Sequence, residues 1–191
     1  MNIELMQVSL QFNDKPVLQN ISMSFVEGKI TCLMGTSGKG KTTILNLIMG
    51  IMKQDSGELA GSQGLRIAAV FQEDRLIEHW DGIKNVKLVC AKDINDEYIQ
   101  EEFNKLGIID SIEKPVRDYS GGMRRRVAIL RAILAPSDLL ILDEPFRGFD
   151  TDLKYKVIDY IKENTKGRTV IVVTHEIEDV KRLEGNLITL E

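Results

Sequence analysis

Cysteine is scarce in this chain. The two that occur, Cys32 and Cys90, lie far apart with no short spacing between them. That count excludes a disulfide framework and a cysteine metal site, and it suits a reducing compartment. A basic excess is also missing: 25 Lys and Arg stand against 29 Asp and Glu, a net charge of −4. A dedicated nucleic-acid binder ordinarily shows the opposite balance, so no nucleic-acid partner is expected. No apolar run approaches the ~20 residues that a membrane helix needs. The start, Met1-Asn2-Ile3-Glu4, lacks a basic stretch followed by an apolar one, so no secretory signal is expected. Repeats, low-complexity tracts and long linkers are absent too. A soluble protein is expected, one that works at a membrane only by docking on something else.

What is present suffices for one domain. The chain has 191 residues, 43% of them hydrophobic and 28% charged, ordinary globular usage that can bury a core without staples. Residues 5–12 and 17–26 carry partly alternating apolar positions (Val8, Leu10, Phe12; Ile21, Met23, Phe25) separated by turn residues 13–16. This predicts antiparallel strands with one exposed face. Three other short runs, 30–34, 139–142 and 169–173, are nearly continuously apolar, as in strands buried on both faces of a parallel sheet.

Further strands are expected at 66–71 and 187–190, and a turn at 57–64. Helical spacing is read at 41–52, from 72 to 119, at 120–135 up to Pro136, and at 153–164. Asn95 or Asp96 can cap a helix with Ile99, Phe103 and Leu106 on its apolar face; Asp150 or Thr151 can cap the helix at 153–164. Strands alternating with helices predict an α/β fold with a parallel sheet, an N-terminal antiparallel β part and an α-helical subdomain inserted at about 73–136.

The chemistry concentrates at the ends of the apolar strands. Gly35-Thr36-Ser37-Gly38-Lys39-Gly40-Lys41-Thr42, followed by Thr43, fits G-x-x-x-x-G-K-[ST] between a buried strand and an amphipathic helix. In such a loop the backbone N–H groups and the helix N-terminus face phosphates. Lys41 supplies a cation to the β- and γ-phosphates, and the Thr42 hydroxyl ligates Mg²⁺. Asp143-Glu144 ends the strand Leu139-Leu140-Ile141-Leu142. Buried carboxylates need a partner. A Mg²⁺-nucleotide site supplies one to Asp143 and leaves Glu144 to accept a proton from an attacking water. His175 ends the strand at 169–173, so Gly35, Asp143 and His175 converge on the carboxyl edge where open sheets bind ligands. Ser120-Gly121-Gly122 opens a helix and offers a second anion cradle, which makes sense if two chains share each nucleotide. The arginines that follow, Arg124 to Arg126, read as a solvated face with some packing.

Taken in order, these motifs resemble the nucleotide-binding subunit of an ATP-binding cassette (ABC) transporter, over nearly the whole chain. Residues 35–42 are similar to Walker A, Gln72 in Val70-Phe71-Gln72-Glu73 to the Q-loop, and Tyr119-Ser120-Gly121-Gly122-Met123 to the signature. Leu139 to Pro145 resembles Walker B with its Glu144, Asp150 the D-loop aspartate, and His175 the switch histidine. Phe12 stands where the family has an aromatic that stacks on adenine.

The resemblance implies a P-loop NTPase domain spanning 1–191, with the helical part set in a RecA-like core. ATP and Mg²⁺ are the implied cofactors. Thr42, Gln72 and Asp143 would attend the metal, while Glu144, His175 and Gln72 would support hydrolysis. It implies a head-to-tail homodimer in which each ATP lies between Walker A of one chain and Ser120 to Gly122 of the other. The expected partners are integral membrane permease subunits and a solute-binding protein, with the chain on the cytoplasmic face of the cell membrane. Residues 71–76 and Trp80 are similar to importers of nitrate, sulfonate and taurine. A cell-division or lipoprotein-release complex is the alternative. Four departures stand out: Tyr119 for Leu, Met123 for Gln, a second cation at Lys39, and a short 50–65 segment. The chain stops at Glu191, where the family usually continues into further helices, so no C-terminal regulation is expected.

Overall fold

The computed structural model describes residues 2–91, 93–108 and 112–190. Two sheets are stacked, and one strand set serves both cores. The first sheet is antiparallel, built from β1 (Ile3–Phe12), β2 (Lys15–Phe25) and β4 (Ser56–Ala60), with β1 in the centre. Asn13 and Asp14 join β1 to β2, both with positive φ (48° and 61°). That is the two-residue turn whose twist suits a hairpin, and Phe12 pairs with Lys15 across it. β4 falls where a turn was expected. Its Ser56, Gly57 and Glu58 are exposed on a sheet edge, so the short strand shows no alternation to read.

The second sheet is parallel, in the order β5-β6-β7-β3-β8. It comprises β3 (Ile30–Gly35), β5 (Ile67–Val70), β6 (Leu139–Asp143), β7 (Thr169–Val173) and β8 (Asn186–Leu190). β6 and β7 are buried along their whole length. Because side chains alternate across a strand, β6 sends Leu140 and Leu142 into one core and Leu139 and Ile141 into the other. The second core joins Leu5, Val8 and Phe25 of the antiparallel sheet to Ile44 and Leu47 of α1 (Lys41–Ile48). Each fully buried aliphatic side chain contributes about 1.5–3 kcal/mol of transfer free energy, which explains why these runs lack polar positions.

The other core faces the helices. Residues 72–119 are less helical than their spacing suggests: among the described residues there, only α2 (Gly82–Lys87), α3 (Asp96–Lys105) and a 3₁₀ turn at Val116–Asp118 form. The segment before α2 is held by a side chain instead. The fully buried Asn85 accepts from Ile77 N at 2.8 Å, and its Nδ2 donates to Ile77 O and Asp81 O at 3.1 and 3.0 Å. Asn95 caps α3 by accepting from Tyr98 N, and Ile99, Phe103 and Leu106 are fully buried. α4 (Gly121–Leu134), α5 (Thr151–Asn164) and α6 (Ile177–Leu183) complete the layer. Sequence spacing did not mark α6, because its seven residues bury only Asp179, Val180 and Leu183. α1 stops at Ile48, short of Met52, and Ile51 is exposed. Among the described residues no helix is long and apolar enough to cross a membrane.

Candidate active site at the carboxyl edge of the parallel sheet

The loop between β3 and α1 curls around the Lys41 ammonium. Lys41 Nζ donates to Gly35 O at 2.8 Å and Thr36 O at 3.0 Å. No side chain caps α1, and its first helical bond runs from Ile44 N to Gly40 O. The preceding N–H groups therefore point out of the helix start, where the dipole also favours an anion. The antiparallel sheet buttresses this junction: a Cβ on Gly40 would lie 2.7 Å from Leu18 Cδ2 of β2.

The end of β6 reaches the same junction. Thr42 Oγ1 donates to Asp143 Oδ2 at 3.0 Å, while Asp143 Oδ1 is buried with no hydrogen-bond partner among the described residues. Burial raises the Asp143 carboxyl above its ordinary value; the Thr42 bond opposes this, the neighbouring Glu144 adds to it, and the Lys41 and Arg125 charges oppose it. One orphaned carboxylate oxygen beside a hydroxyl is the hard-oxygen donor set that suits Mg²⁺, which takes few protein ligands and completes its shell from phosphate and water. No cluster of three or more His, Cys, Asp or Glu that could hold a metal occurs among the described residues.

Glu144 turns the chain. Its φ is +50°, uncommon for a non-glycine residue, while its N–H still donates to Val173 O at 3.1 Å. The left-handed turn sends the side chain across the tip of β7, where Glu144 Oε1 lies 2.8 Å from His175 Nε2. A carboxylate can only accept, so this bond puts the proton on Nε2. Both residues line a cleft of about 360 Å³ together with Arg147, Phe149, Lys154 and Asp179. Lys39 is exposed and lines a second groove with Thr36 and His175.

Other expected site residues make contacts of their own. Gln72 is exposed, and its carbonyl, like that of Phe71, accepts from Arg125. Ser120 caps α4, accepting from Met123 N at 3.2 Å, and Gly121 has open space beside it. Asp150 caps α5 by accepting from Leu153 N at 2.9 Å. Phe12 is 44% exposed at the hairpin tip. Among the described residues, no hydrogen bond joins Phe12, Ser120, Gly122 or Asp150 to the loop 35–42.

The arginines after Ser120 are not a solvated face. Arg125 and Arg126 are buried, because backbone carbonyls take their donors. Arg126 Nη1 donates to Leu106 O at 2.7 Å and Gly107 O at 3.1 Å, and Arg125 Nε lies 3.2 Å from Asp74 Oδ1. Residue patterns also missed Lys154 and Asp179, whose proximity arises only from the packing of α5 on α6.

With this geometry established, known proteins supply a frame. The family described as "ABC transporter" matches residues 18–147. An uncharacterized ABC transporter ATP-binding protein, YdbJ of Bacillus subtilis, is 33% identical over 95% of this chain and 63% of its own length. The chain thus spans less than two thirds of that relative. The aliphatic sulfonates import ATP-binding protein SsuB 1 of Paracoccus denitrificans is 29% identical over 98% of this chain and 78% of its own. Among solved structures, the dimeric ATP-binding cassette MJ0796, in a post-hydrolysis state bound to ADP and Pi, superposes with a TM-score of 0.84 at 25% identity, covering 99% of this chain and 94% of that one.

Proposed function

The chain belongs to the ABC transporter family, and on that footing we propose that it is the ATP-hydrolysing cassette of a membrane transporter, working as a head-to-tail pair. One observation carries the reading. Consecutive carboxylates, Asp143 and Glu144, bond respectively to the start of a phosphate-type loop helix and to a histidine. The dimeric, ADP-bound state of the MJ0796 cassette supports the pairing.

In this reading Lys41 gives up the Gly35 and Thr36 carbonyls for the β- and γ-phosphates. Backbone N–H groups of residues 38–43 hold the remaining oxygens. Thr42, Asp143 and Gln72 would hold Mg²⁺. Bound there, the cation neutralises charge that develops on the phosphates. Glu144 accepts the proton of the attacking water, and His175 fixes that carboxylate by donating from Nε2. Phe12 stacks on the adenine. Ser120, Gly121 and Gly122 of the second copy close over the γ-phosphate, and Asp150 lies at the contact between copies. The two half-sites of one chain then belong to two different nucleotides. ATP favours the closed pair, and hydrolysis removes that bias.

Residues 1–191 form a single ATPase domain in which about 73–136 act as the helical subdomain that meets permease subunits on the cytoplasmic face of the membrane. Import of a small solute, delivered by a binding protein, is the fitting direction, since SsuB 1 is named for import. The test is calorimetric titration of MgATP followed by phosphate-release assay on the same material. Binding with steady phosphate release supports the reading; absence of binding overturns it.

A further inference from the structure

Lys154 and Asp179 are buried, charged and unused by the chemistry above. Lys154 lies one turn into α5, and its side chain is 10% exposed; that of Asp179, on α6, is 2% exposed. Their Nζ and Oδ1 are 3.1 Å apart. The other Asp179 oxygen, Oδ2, accepts from Thr174 Oγ1 at 2.5 Å, and that hydroxyl in turn accepts from Glu176 N at 3.3 Å. Lys154 Nζ also donates to Glu176 Oε2 at 2.6 Å. Thr174 and Glu176 are the two neighbours of His175. The pair thus holds the residues on both sides of the histidine by their side chains, while its ring, 44% exposed, meets Glu144.

We propose that Lys154 and Asp179 are positioning residues for His175, fixing the 174–176 turn so that the imidazole holds Glu144 in place for proton abstraction. The proposal rests on the ATPase reading and assigns that site a support reaching from α5 and α6. Thermodynamics favours this role over a purely stabilising one. A buried ion pair gains little over an apolar pair of equal volume, because desolvation offsets the Coulomb energy. What it adds here is direction: an ammonium and a carboxylate with fixed partners define where the turn lies, and an apolar pair does not. Glu144 bonds His175 and Lys154 bonds Glu176, at 2.8 and 2.6 Å. Both ends of the 144–154 segment therefore converge on residues 174–176.

The test is a double-mutant cycle on phosphate release, in wild-type and His175→Ala backgrounds. One arm replaces the pair together, Lys154→Met with Asp179→Leu, so that no buried charge is left alone. The second, Thr174→Val, removes a single hydroxyl at nearly constant volume, and stands if the paired variant is unstable. Thermal midpoint and MgATP affinity are measured alongside. We expect kcat to fall on the order of tenfold to a hundredfold in both arms with KM and MgATP affinity nearly unchanged, the scale of a misplaced catalytic group. In the His175→Ala background the further loss should be under about twofold, because both changes act through the same residue. Wild-type kcat in both arms, or an undiminished loss without His175, overturns the proposal. Wild type that binds MgATP but releases no phosphate instead overturns the ATPase reading, and the proposal with it.

Discussion

Thr42 Oγ1 donates to Asp143 Oδ2 across 101 residues of sequence, joining the first turn of α1 to the tip of β6. Among the described residues it is the one hydrogen bond of a carboxylate whose other oxygen is buried without a partner. The bond therefore serves two ends. It partly satisfies a buried acid, and it holds that acid beside the helix start where the proposed metal–phosphate group would lie.

Thr42→Val removes this hydroxyl at similar volume. Asp143 is then left without any hydrogen bond, which costs about 1–3 kcal/mol of folding stability. Metal dependence should separate this from a change in the phosphate loop. With Mg²⁺ present, ATP affinity should fall below wild type; in excess chelator the two proteins should bind ATP alike. Calorimetry in both buffers checks it. Equal affinity with Mg²⁺ present would remove Thr42 from the metal shell.

Glu144→Gln keeps the size and the acceptor oxygen facing His175, but cannot take a proton. Phosphate release should fall on the order of a hundredfold or more, while MgATP binding persists. If ATP bridges two copies, the variant should also accumulate as a dimer in MgATP and revert to monomer when nucleotide is removed, as read by light scattering on a sizing column. A variant of unchanged turnover would exclude Glu144 as the base.

Parts of this site were legible from residue patterns for a physical reason. β6 and β7 are buried on both faces, so Leu139 to Leu142 and Val170 to Val173 leave no polar interruption. The polar residues that follow, Asp143 and Thr174-His175, stand out against them. The loop 35–42 is likewise local, since one short segment supplies all of its chemistry. Tertiary contacts were not legible. Arg125 finds the Phe71 and Gln72 carbonyls more than fifty residues away, and nothing near Arg125 distinguishes it from a surface arginine. β4 and α6 are short and amphipathic only through their neighbours, and the segment before α2 is shaped by the single buried Asn85.

Cys32 and Cys90 should react very differently. Cys32 is fully buried, and burial, with the Asp179 charge added, pushes its thiol up to about 12. Cys90 is half-buried and is raised by burial alone. The thiolate is the reactive form, so a thiol reagent at pH 8 should label Cys90 in the native protein and reach Cys32 only on unfolding. Mass spectrometry of labelled native and denatured material resolves the two. Labelling of Cys32 in the native state would contradict the packing of β3 against α6.

Acid should weaken one surface tie in a defined window. Asp138 Oδ1 and Oδ2 accept from Arg66 Nη2 and Nε at 2.7 and 3.1 Å, and Oδ2 also accepts from Arg66 N at 2.9 Å. These bonds lower its carboxyl from 3.8 to about 2. A depressed acid value means the unfolded chain binds the proton first, so this contribution is whole above the ordinary value and is lost as pH falls from 3.8 toward 2. Asp138→Asn should lower the thermal midpoint slightly at neutral pH and match wild type near the bottom of that window. A constant difference at all pH values would rule out the linkage.

Two glycines of the phosphate loop should separate folding from binding. A Cβ on Gly35 would stand 2.6 Å from Leu190 O and 3.3 Å from Leu190 Cβ. Leu190 O is backbone of β8, paired with Gly35 itself, so relief requires the two strands to part. Gly35→Ala should therefore cost about 1–3 kcal/mol, the usual penalty of overpacking, read as a lowered denaturation midpoint. Gly38 has nothing within 4 Å of the same position, and its φ of +83° is its only constraint. Gly38→Ala pays roughly 1–2 kcal/mol of backbone strain, and its methyl group projects into the open side of the loop. Its loss of MgATP affinity should exceed its loss of stability, whereas Gly35→Ala should show the reverse order. If Gly38→Ala bound MgATP as wild type does, the triphosphate would have to lie elsewhere than over residues 36–40.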